Sequence, residues 1–343
     1  MKPIPINRFV WLLLLLPCTL PAQDIHLSQF FEAPLLRNPS LAGLFEGDVR
    51  LQLVYRDQWK SVTPNSFRTA SFNGEYKMPV GGGDDFFTVG GQVLYDKAGS
   101  AVQSTVHLLP VVNYHKSIST ERTSYISLGF MGGWVQKRID YTKMTTNNQY
   151  RDGNVDPAMP TGEYFTDPVV GYWDGSVGVN FNTTLGSNYQ HVFFIGAAYH
   201  HLNRPKASFY QNAGIELHPK YVFSAGLKLS VDEYRYFTLH QDVFMQGASR
   251  EIIGGGWYSY VLDDLPDDAR YVLHAGAFVR WNDAIIPVIK MDIRSLAVTL
   301  SYDINTSPLK TASQLRGGFE LGLCWKGFVG RNSSAEKVLC PRF

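Results

Sequence analysis

The nine histidines are the residues of this sequence best suited to acid–base chemistry at neutral pH, and two of them, His200 and His201, are adjacent. Neither a His-Glu-x-x-His zinc motif nor a Gly-x-Ser-x-Gly nucleophile motif accompanies them. Successive residues of a strand point to opposite faces, so we expect at most one of the pair to face a shared site. The sequence therefore favours a protein that is not an enzyme, and we assign no catalytic residues.

Acidic clusters are the next candidates, because calcium prefers carboxylate and other oxygen ligands. One cluster lies at residues 263–268 and another at residues 152–156, but neither matches the twelve-residue calcium loop with its glycine and terminal glutamate. We interpret both as solvated loop charge and predict no metal site. The glycine runs at residues 81–83 and 254–256 lack the strand-to-helix context of a phosphate loop, so we also predict no cofactor.

A third set of polar residues consists of charges inside otherwise alternating apolar segments. On the inner face of a narrow barrel such side chains can neutralise one another and fill the lumen, or they can line an ion-selective pore. We favour the ion-paired arrangement over the pore. The residues concerned are Arg56, Arg280, Asp303, Arg316 and Glu320.

The elements that position these residues are strands. Between residues 315 and 326, large side chains recur at alternate positions such as Leu321, Leu323 and Trp325, and a period of two indicates a strand. After the first 22 residues no segment has the roughly twenty apolar residues of a membrane helix, so a membrane protein of this sequence must be a closed barrel. We predict an all-β transmembrane antiparallel β-barrel of about 14 strands. Its predicted strands are 49–60, 66–77, 86–97, 101–116, 122–140, 172–184, 189–201, 218–231, 235–246, 251–261, 271–281, 284–293, 295–305 and 315–326.

The lengths of the predicted connections support this fold. The long connections 141–171, 202–217 and 306–314 all follow odd-numbered strands, whereas most even-numbered connections are short, with 262–270 as an exception. Bacterial outer-membrane barrels have short periplasmic turns and long extracellular loops. We therefore expect the first strand to rise from the periplasm and the long loops to lie outside the cell.

The two ends of the chain are predicted to differ from the barrel. Residues 1–22 form a signal peptide, since Arg8 precedes an apolar run too short to span a bilayer, and cleavage is expected after Ala22. Residues 23–48 contain Pro34 and Asn38-Pro39 and form an N-terminal segment that could plug the lumen. Residues 49–326 form the barrel and residues 327–343 a periplasmic tail. We expect both terminal segments to face the periplasm.

Charge and cysteine content limit the possible partners. The formal charge is +1, and loss of Lys2 and Arg8 with the signal peptide leaves 29 basic and 30 acidic side chains. Such a balance gives no support to nucleic-acid binding. Cys324 and Cys340 remain in the mature chain and could either pair or stay reduced, since the sequence does not fix their separation.

Several short motifs resemble those of a known family. They are HLSQFF at 26–31, APL at 33–35, NPSLAG at 38–43, YRDQW at 55–59, DAIIP at 283–287, SYD at 301–303, GGFE at 317–320 and CPRF at 340–343. Their order and content resemble the PorP/SprF family over almost the whole mature chain. The differences are small: Ser40 stands where the family often has alanine, and Cys324 is not typical of the motif around it.

The resemblance implies a barrel similar in shape to the FadL fatty-acid transporters, located in the cell outer membrane. It implies work with the type IX secretion system, in some members with gliding motility, and binding, export or surface anchoring of a secreted adhesin with a type B C-terminal domain. Periplasmic and outer-membrane secretion components and membrane lipid are the other implied partners. A FadL-like passive transporter for a small hydrophobic solute is the alternative. We assign partner-binding roles to Ser28, Gln29, Phe30, Asn38, Pro39, Tyr55, Arg56, Gln58, Trp59, Cys340, Pro341, Arg342 and Phe343.

Overall fold

A computed structural model describes residues 24–329 except 61–62, 64, 82–83, 100–102, 120–121, 187–190, 211, 213, 264–269 and 309. Within this range fourteen antiparallel strands close into one barrel, which confirms the predicted fold. A small hairpin of β6 (Tyr150–Arg151) and β7 (Asn154–Val155) lies in the connection after the fifth barrel strand. The signal peptide (1–22) and the predicted partner residues Cys340, Pro341, Arg342 and Phe343 lie outside the described residues.

The barrel strands follow the predicted segments closely. They are β1 (Val49–Gln58), β2 (Phe67–Pro79), β3 (Phe86–Ala98), β4 (Gln103–Ser119), β5 (Ser124–Arg138), β8 (Val169–Leu185), β9 (His191–His200), β10 (Lys220–Ser230), β11 (Arg235–Gln246), β12 (Ser249–Val261), β13 (Tyr271–Arg280), β14 (Ala284–Ile293), β15 (Leu296–Asn305) and β16 (Arg316–Gly327). Each strand pairs with its neighbours in the chain. The barrel closes where β1 pairs with β16 over ten residues, from Val49 opposite Gly327 to Gln58 opposite Gly318.

Alternation along each strand separates two environments. On β1 the outward Leu51 and Leu53 are about 40% exposed, while the inward Gln52 and Arg56 are buried. An apolar outer face suits lipid and a polar inner face suits the lumen, as in other membrane barrels. The wall therefore presents its polar groups to the barrel interior.

Two prolines lie inside strands, where each removes a ladder donor. Pro110 of β4 pairs with Gly91 of β3, but the ladder from β4 to β5 is interrupted between Leu108 and Val111. Pro287 of β14 has the same arrangement, with pairing to β13 intact and pairing to β15 interrupted. A local gap in one ladder thus accommodates each ring.

The connections define the two ends of the barrel. Three long connections, residues 139–168, 201–219 and 306–315, leave the same end, which we call the long-loop end. At the other end, called the short-turn end, connections such as 231–234 and 294–295 are brief. The chain enters β1 at the short-turn end, where the amide of Asp48 donates to the carbonyl of Gly327 at 2.8 Å.

Residues 24–45, here called the luminal segment, run through the barrel rather than along one rim. They include two 3-10 turns (Phe30–Glu32 and Pro39–Leu41) and a single helical turn, α1 (Pro34–Arg37). The amide of Asp24 bonds Gln246 at the long-loop end of β11, whereas residue 45 contacts Lys77 at the short-turn end of β2. The expectation that the whole N-terminal segment faces the side of the C-terminal tail is therefore wrong, because its first described residue lies at the opposite end of the barrel.

A second helical turn, α2 (Lys310–Ser313), lies in the connection before β16. None of the helices in the described part of the chain is long and apolar enough to cross a membrane.

Candidate functional site

Proline and asparagine shape the luminal segment. Pro34 and Pro39 each occupy the first turn of a helical element, where a missing N–H costs nothing. The side chain of Asn38 accepts hydrogen bonds from the amide and hydroxyl of Ser40, at 2.9 and 2.6 Å, and so caps the second turn. The sequence Asn-Pro-Ser thereby fixes a compact turn in the middle of the barrel.

Glycines in the wall make room for this turn. A Cβ on Gly178 would lie 1.8 Å from the side-chain oxygen of Asn38, and one on Gly129 would lie 2.5 Å from the backbone of Pro39. Both separations are impossible for real atoms, so the wall needs glycine where the segment touches it. The side-chain Nδ2 of Asn38 then donates to the carbonyl of Val179 at 3.1 Å.

A buried network of four charges holds the segment near the long-loop end. Asp303 contacts Arg280 at 2.6 Å and Arg56 at 3.1 Å, and Arg56 also lies 3.3 Å from Glu320. The hydroxyl of Ser28 donates to Asp303 at 2.8 Å and accepts from Arg280 at 3.0 Å. We call these four charged residues the charge network.

Backbone groups of the segment complete that network. The amides of Ser28 and Gln29 each donate to one oxygen of Glu320 at 2.7 Å. The carbonyl of His26 accepts from Arg56 at 2.6 Å. Charge-assisted bonds of this length are among the strongest that proteins form. Together with the two bonds of the Ser28 hydroxyl, they tie the segment to β1, β13, β15 and β16.

Arg316 is not part of the charge network, although its position in the sequence predicted it there. It is exposed at the start of β16, and among the described residues no ion pair joins it to the other charges. A register shift between Tyr302 and Ile304 of the neighbouring strand lets Gly317 and Gly318 both face inward. This bulge reverses the alternation, so that Arg316 points outward while Glu320 points inward.

Aromatic rings fill the middle of the barrel. Phe31 lies 4.7 Å from Trp257 and 5.0 Å from Phe278, measured between ring centroids, and Phe30 lies 5.4 Å from Phe278. These separations are favourable for edge-to-face and offset-stacked pairs. The segment therefore contacts the wall through packed aromatic rings as well as through ion pairs.

Two further ion pairs link the luminal segment to the wall, and a third pair within the wall accepts a hydrogen bond from the segment. Arg37 makes a bidentate pair with Asp242, with both distances at 2.6 Å. Glu32 accepts from Lys290 at 2.8 Å. Glu75 receives the guanidinium of Arg50 at 2.7 Å and the amide of Gly43 at 2.8 Å.

The adjacent histidines both face the interior, contrary to the expectation from strand alternation. His200 is the last residue of β9, and His201 has a φ of 60°, which turns its side chain back inward. The ring of His200 contacts the hydroxyl of Ser176 at 2.9 Å and the carbonyl of Arg37 at 3.2 Å. Each nitrogen of this ring is thus engaged within the lumen.

His201 bridges two carboxylates at the long-loop end. Its Nε2 lies 2.7 Å from Asp24 of the luminal segment, and its Nδ1 lies 2.8 Å from Asp174 of β8. Lys220 approaches the same oxygen of Asp24 at 3.7 Å. Burial disfavours the imidazolium, but the hydrogen bonds to Asp174 and Asp24 outweigh it and raise the pKa of His201 to about 9. We call these four residues the clasp.

The predicted partner-binding residues divide between several locations. Ser28, Gln29, Phe30 and Asn38 are buried contacts of the luminal segment with the wall. Tyr55 lies on the outer face of β1 and is 37% exposed. Pro39 and Arg56 are also buried, in the luminal segment and in the charge network. Gln58 and Trp59 stand at the long-loop end: Gln58 ends β1, and Trp59 packs its ring 5.2 Å from Phe67.

The acidic loop candidates have local roles in the described residues. Asp263 accepts the amides of Arg270 and Tyr271, both at 2.7 Å, and Asp156 accepts the amide of Ala158. Asp264, Asp267 and Asp268 lie outside the described part of the chain. In the part that is described, His, Cys, Asp and Glu side chains form no group of three suited to a metal ion, and Cys324 is a buried free thiol.

Sequence reasoning missed most of the luminal partners. Arg37, Asp242 and Glu75 were not identified, and neither was the clasp. The wall charges could have been predicted from strand alternation. Arg50 lies an even number of residues from Gln52 and Arg56 on β1, so its side chain faces inward as theirs do. The charges of the luminal segment had no such signal, because the segment has no strand period.

Comparison with known proteins identifies the chain. Its sequence matches the family described as type IX secretion system membrane protein PorP/SprF over residues 19–324. The chain belongs to the PorP/SprF family. It is thus a type IX secretion membrane protein with an outer-membrane barrel, as the motifs at both ends had suggested.

Solved structures with a similar fold are outer-membrane channels. The toluene transporter TodX of Pseudomonas putida is 9% identical, with 85% of this chain and 92% of that chain covered and a TM-score of 0.50. The CymD monoaromatic hydrocarbon channel is 8% identical, with coverage of 88% and 94% and a TM-score of 0.48. Comparison with curated protein sequences gave no match. At these identities the structural likeness concerns the fold alone.

Proposed function

We propose that this barrel binds, helps export or anchors a secreted adhesin-type protein at the cell surface, as a component of type IX secretion or gliding machinery. The observation that supports this proposal is that the luminal segment bonds inward-facing residues of several strands, among them Asp242, Asp303 and Glu320. One cavity beside Phe31, Glu32 and Arg37 measures about 70 Å³, space for only a few water molecules. A segment held across the lumen by these bonds favours action by binding over passage of a solute.

The domain organisation that accompanies this proposal follows the chain. Residues 1–22 are a cleaved signal peptide, residues 23–48 a plug, residues 49–326 the barrel and residues 327–343 a periplasmic tail. The long-loop end faces the cell exterior, because outer-membrane barrels carry their long loops there. The tail then begins at the periplasmic end, beside Gly327.

The two longest loops offer a surface for a protein partner. Phe165 of the first loop stacks with Tyr210 of the second at 5.4 Å and lies 6.3 Å from Phe209. Tyr164 is 88% exposed and Tyr150 59% exposed. Exposed aromatic side chains on a fixed scaffold are typical of protein interfaces, where they bury large areas at low entropic cost.

A second candidate function is passive transport of a small hydrophobic solute. The shared fold with the toluene transporter TodX is the observation that favours it. In this case the luminal segment would have to move to let a solute pass. Uptake that is lost on deletion of the protein, with secretion intact, would support transport over partner binding.

Affinity capture from detergent-solubilised outer membrane tests the proposal. The wild-type protein should retain a secreted adhesin or a component of the secretion machinery, identified by mass spectrometry. Replacing Tyr150, Tyr164 and Tyr210 by serine should reduce the captured adhesin at least about tenfold, since interface aromatics carry much of the binding energy. The matched control is Val231→Ser, an exposed residue in a short turn at the other end. Absence of both kinds of partner from the wild-type capture would refute the proposal.

A further inference from the structure

The clasp has the construction of a carboxylate-binding site. His201 and Lys220 direct positive groups at one oxygen of Asp24, at 2.7 and 3.7 Å. Asp174 contacts Nδ1 of His201 at 2.8 Å and so fixes the direction in which Nε2 points towards Asp24. A cation oriented by a second carboxylate is a common way to hold an anionic ligand in place.

The four residues differ in accessibility. The side chains of His201 and Asp174 are each 6% exposed and that of Lys220 is 9% exposed, whereas that of Asp24 is 27% exposed. Asp24 is therefore the outermost member, and the groups that receive it lie beneath. A cavity of about 30 Å³, lined by Asp24, Lys220 and Gln246 among others, adjoins it.

The position of Asp24 in the chain makes it replaceable. With cleavage after Ala22, only Gln23 precedes it in the mature protein. The rest of the segment has its own attachments, beginning with the bonds of Ser28 and Gln29 to Glu320. Displacing Asp24 therefore frees a short chain end and leaves the remaining luminal contacts in place.

The backbone of His201 supports a specific role for this site. Its φ of 60° lies in the left-handed region, which non-glycine residues adopt uncommonly, histidine more often than most. That conformation turns the ring inward, towards both carboxylates.

We propose that His201 and Lys220, oriented by Asp174, form a carboxylate-binding site at the exterior mouth, which Asp24 occupies in the free protein and a carboxylate of the secreted partner occupies in the complex. The inference rests on the proposed function for the identity of the partner, but the site itself can be tested without it. Asp24 then acts as an internal competitor. The incoming carboxylate is either a side chain or a chain terminus of the partner.

Titration of full-length protein in detergent with small carboxylates tests the site. The probes are acetate, acetyl-Gly-Asp-Gly-amide, which carries a side-chain carboxylate, and acetyl-Gly-Gly-Gly with a free C-terminus. Binding is followed by NMR of ¹³C-labelled histidine, with the His201 signal assigned by its loss in His201→Gln and with chloride as the ionic-strength control. Asp24→Asn should bind at least one peptide about tenfold or more tightly than wild type, because a tethered competitor acts at millimolar effective concentration.

Two variants keep this result interpretable. Asp24→Asn with Lys220→Met should lose most of the gain, and all variants must show the heat-modifiable gel mobility of a folded barrel. Which peptide binds distinguishes a side-chain from a terminal carboxylate. Equal probe affinity in wild type and Asp24→Asn, or an equal response to chloride, would overturn the inference.

Capture from outer membrane separates this inference from the proposed function. If Asp24→Asn retains several-fold more of the secreted adhesin than wild type and His201→Gln retains less, both stand. If the peptides bind as expected but no secreted or secretion-machine protein is captured, the site stands and the proposed function fails. If an adhesin is captured equally by wild type, Asp24→Asn and His201→Gln, the proposed function stands and the carboxylate site is wrong.

Discussion

The charge network and the clasp both attach the luminal segment to the wall near the long-loop end, but they differ in burial. In the network, Arg56, Arg280, Asp303 and Glu320 are at most 2% exposed. In the clasp, the side chain of Asp24 is 27% exposed. The network also binds the backbone of the segment, whereas the clasp binds the side chain of Asp24.

This difference indicates two kinds of attachment. Removing one partner from this network leaves a buried charge short of a counter-charge, which is costly. Removing a partner at the mouth leaves groups that solvent or another ligand can satisfy. The network is thus suited to fixing the segment permanently, and the clasp is suited to exchange.

The largest expected effect is from Asp303→Asn, which removes the carboxylate that Arg56 and Arg280 share. Among the described residues, Arg56 then keeps only the ion pair with Glu320, at 3.3 Å. Arg280 likewise keeps only that with Asp283, at 2.6 Å, whose side chain is 39% exposed. We expect the free energy of unfolding to fall by about 3 to 5 kcal/mol, as for other broken buried pairs. Urea unfolding of the barrel in lipid vesicles, followed by tryptophan fluorescence, measures it. The control Arg316→Gln changes an exposed charge and should stay within about 0.5 kcal/mol of wild type. An Asp303→Asn protein as stable as that control would show that the network does not hold the fold.

A substitution on the outer face of β16 tests the contact of this strand with lipid separately from its luminal charge. Leu323 faces away from the lumen, three residues after the inward Glu320. Leu323→Arg should destabilise the barrel by about 2 to 4 kcal/mol if it lies near mid-bilayer, because the guanidinium enters lipid. The same unfolding assay applies, with Leu323→Met as the control. A small effect would place this part of the seam outside the hydrocarbon layer.

The smallest expected effect is local and depends on pH. The pKa of His201 rises from an ordinary 6.5 to about 9, so its contribution is fully present below pH 6.5 and is lost as pH rises through about 9. The groups facing its ring are Asp24, Asp174, the ring of His200 at 6.5 Å between centroids and, through Asp24, Lys220. Amide hydrogen exchange at residues 24–27, corrected for the intrinsic rate, should therefore accelerate between pH 7 and pH 10. His201→Gln should remove this pH dependence, and an unchanged profile in that variant would assign it to another group.

The barrel was predictable from sequence because the alternation of apolar and polar side chains along each strand indicates its outer and inner faces. The alternation of Leu323 and Trp325 with Cys324 and Lys326 is a local property of β16, and the lengths of the loops gave the direction of the strands. The family motifs added what alternation could not supply. Together these signals predicted the fourteen strands and their closure between β1 and β16.

The luminal contacts were less predictable because they are non-local. Ser28 meets Asp303 across 275 residues of sequence, and Arg37 meets Asp242 across 205. A segment without a period does not indicate which wall residues it faces. Strand alternation predicted the wrong side-chain direction at Arg316 and His201. The causes are a bulge and a positive φ, and the alternation of residue types in the sequence reveals neither.

Conductance in planar lipid bilayers tests the central proposal, that the luminal segment closes the barrel so that the protein acts by binding. Wild-type protein should show no steady conductance, and a variant lacking residues 24–42 should show stable open channels while keeping the gel mobility of a folded barrel. Steady conductance of the wild type, equal to that of the deletion variant, would contradict the proposal and favour a transporter.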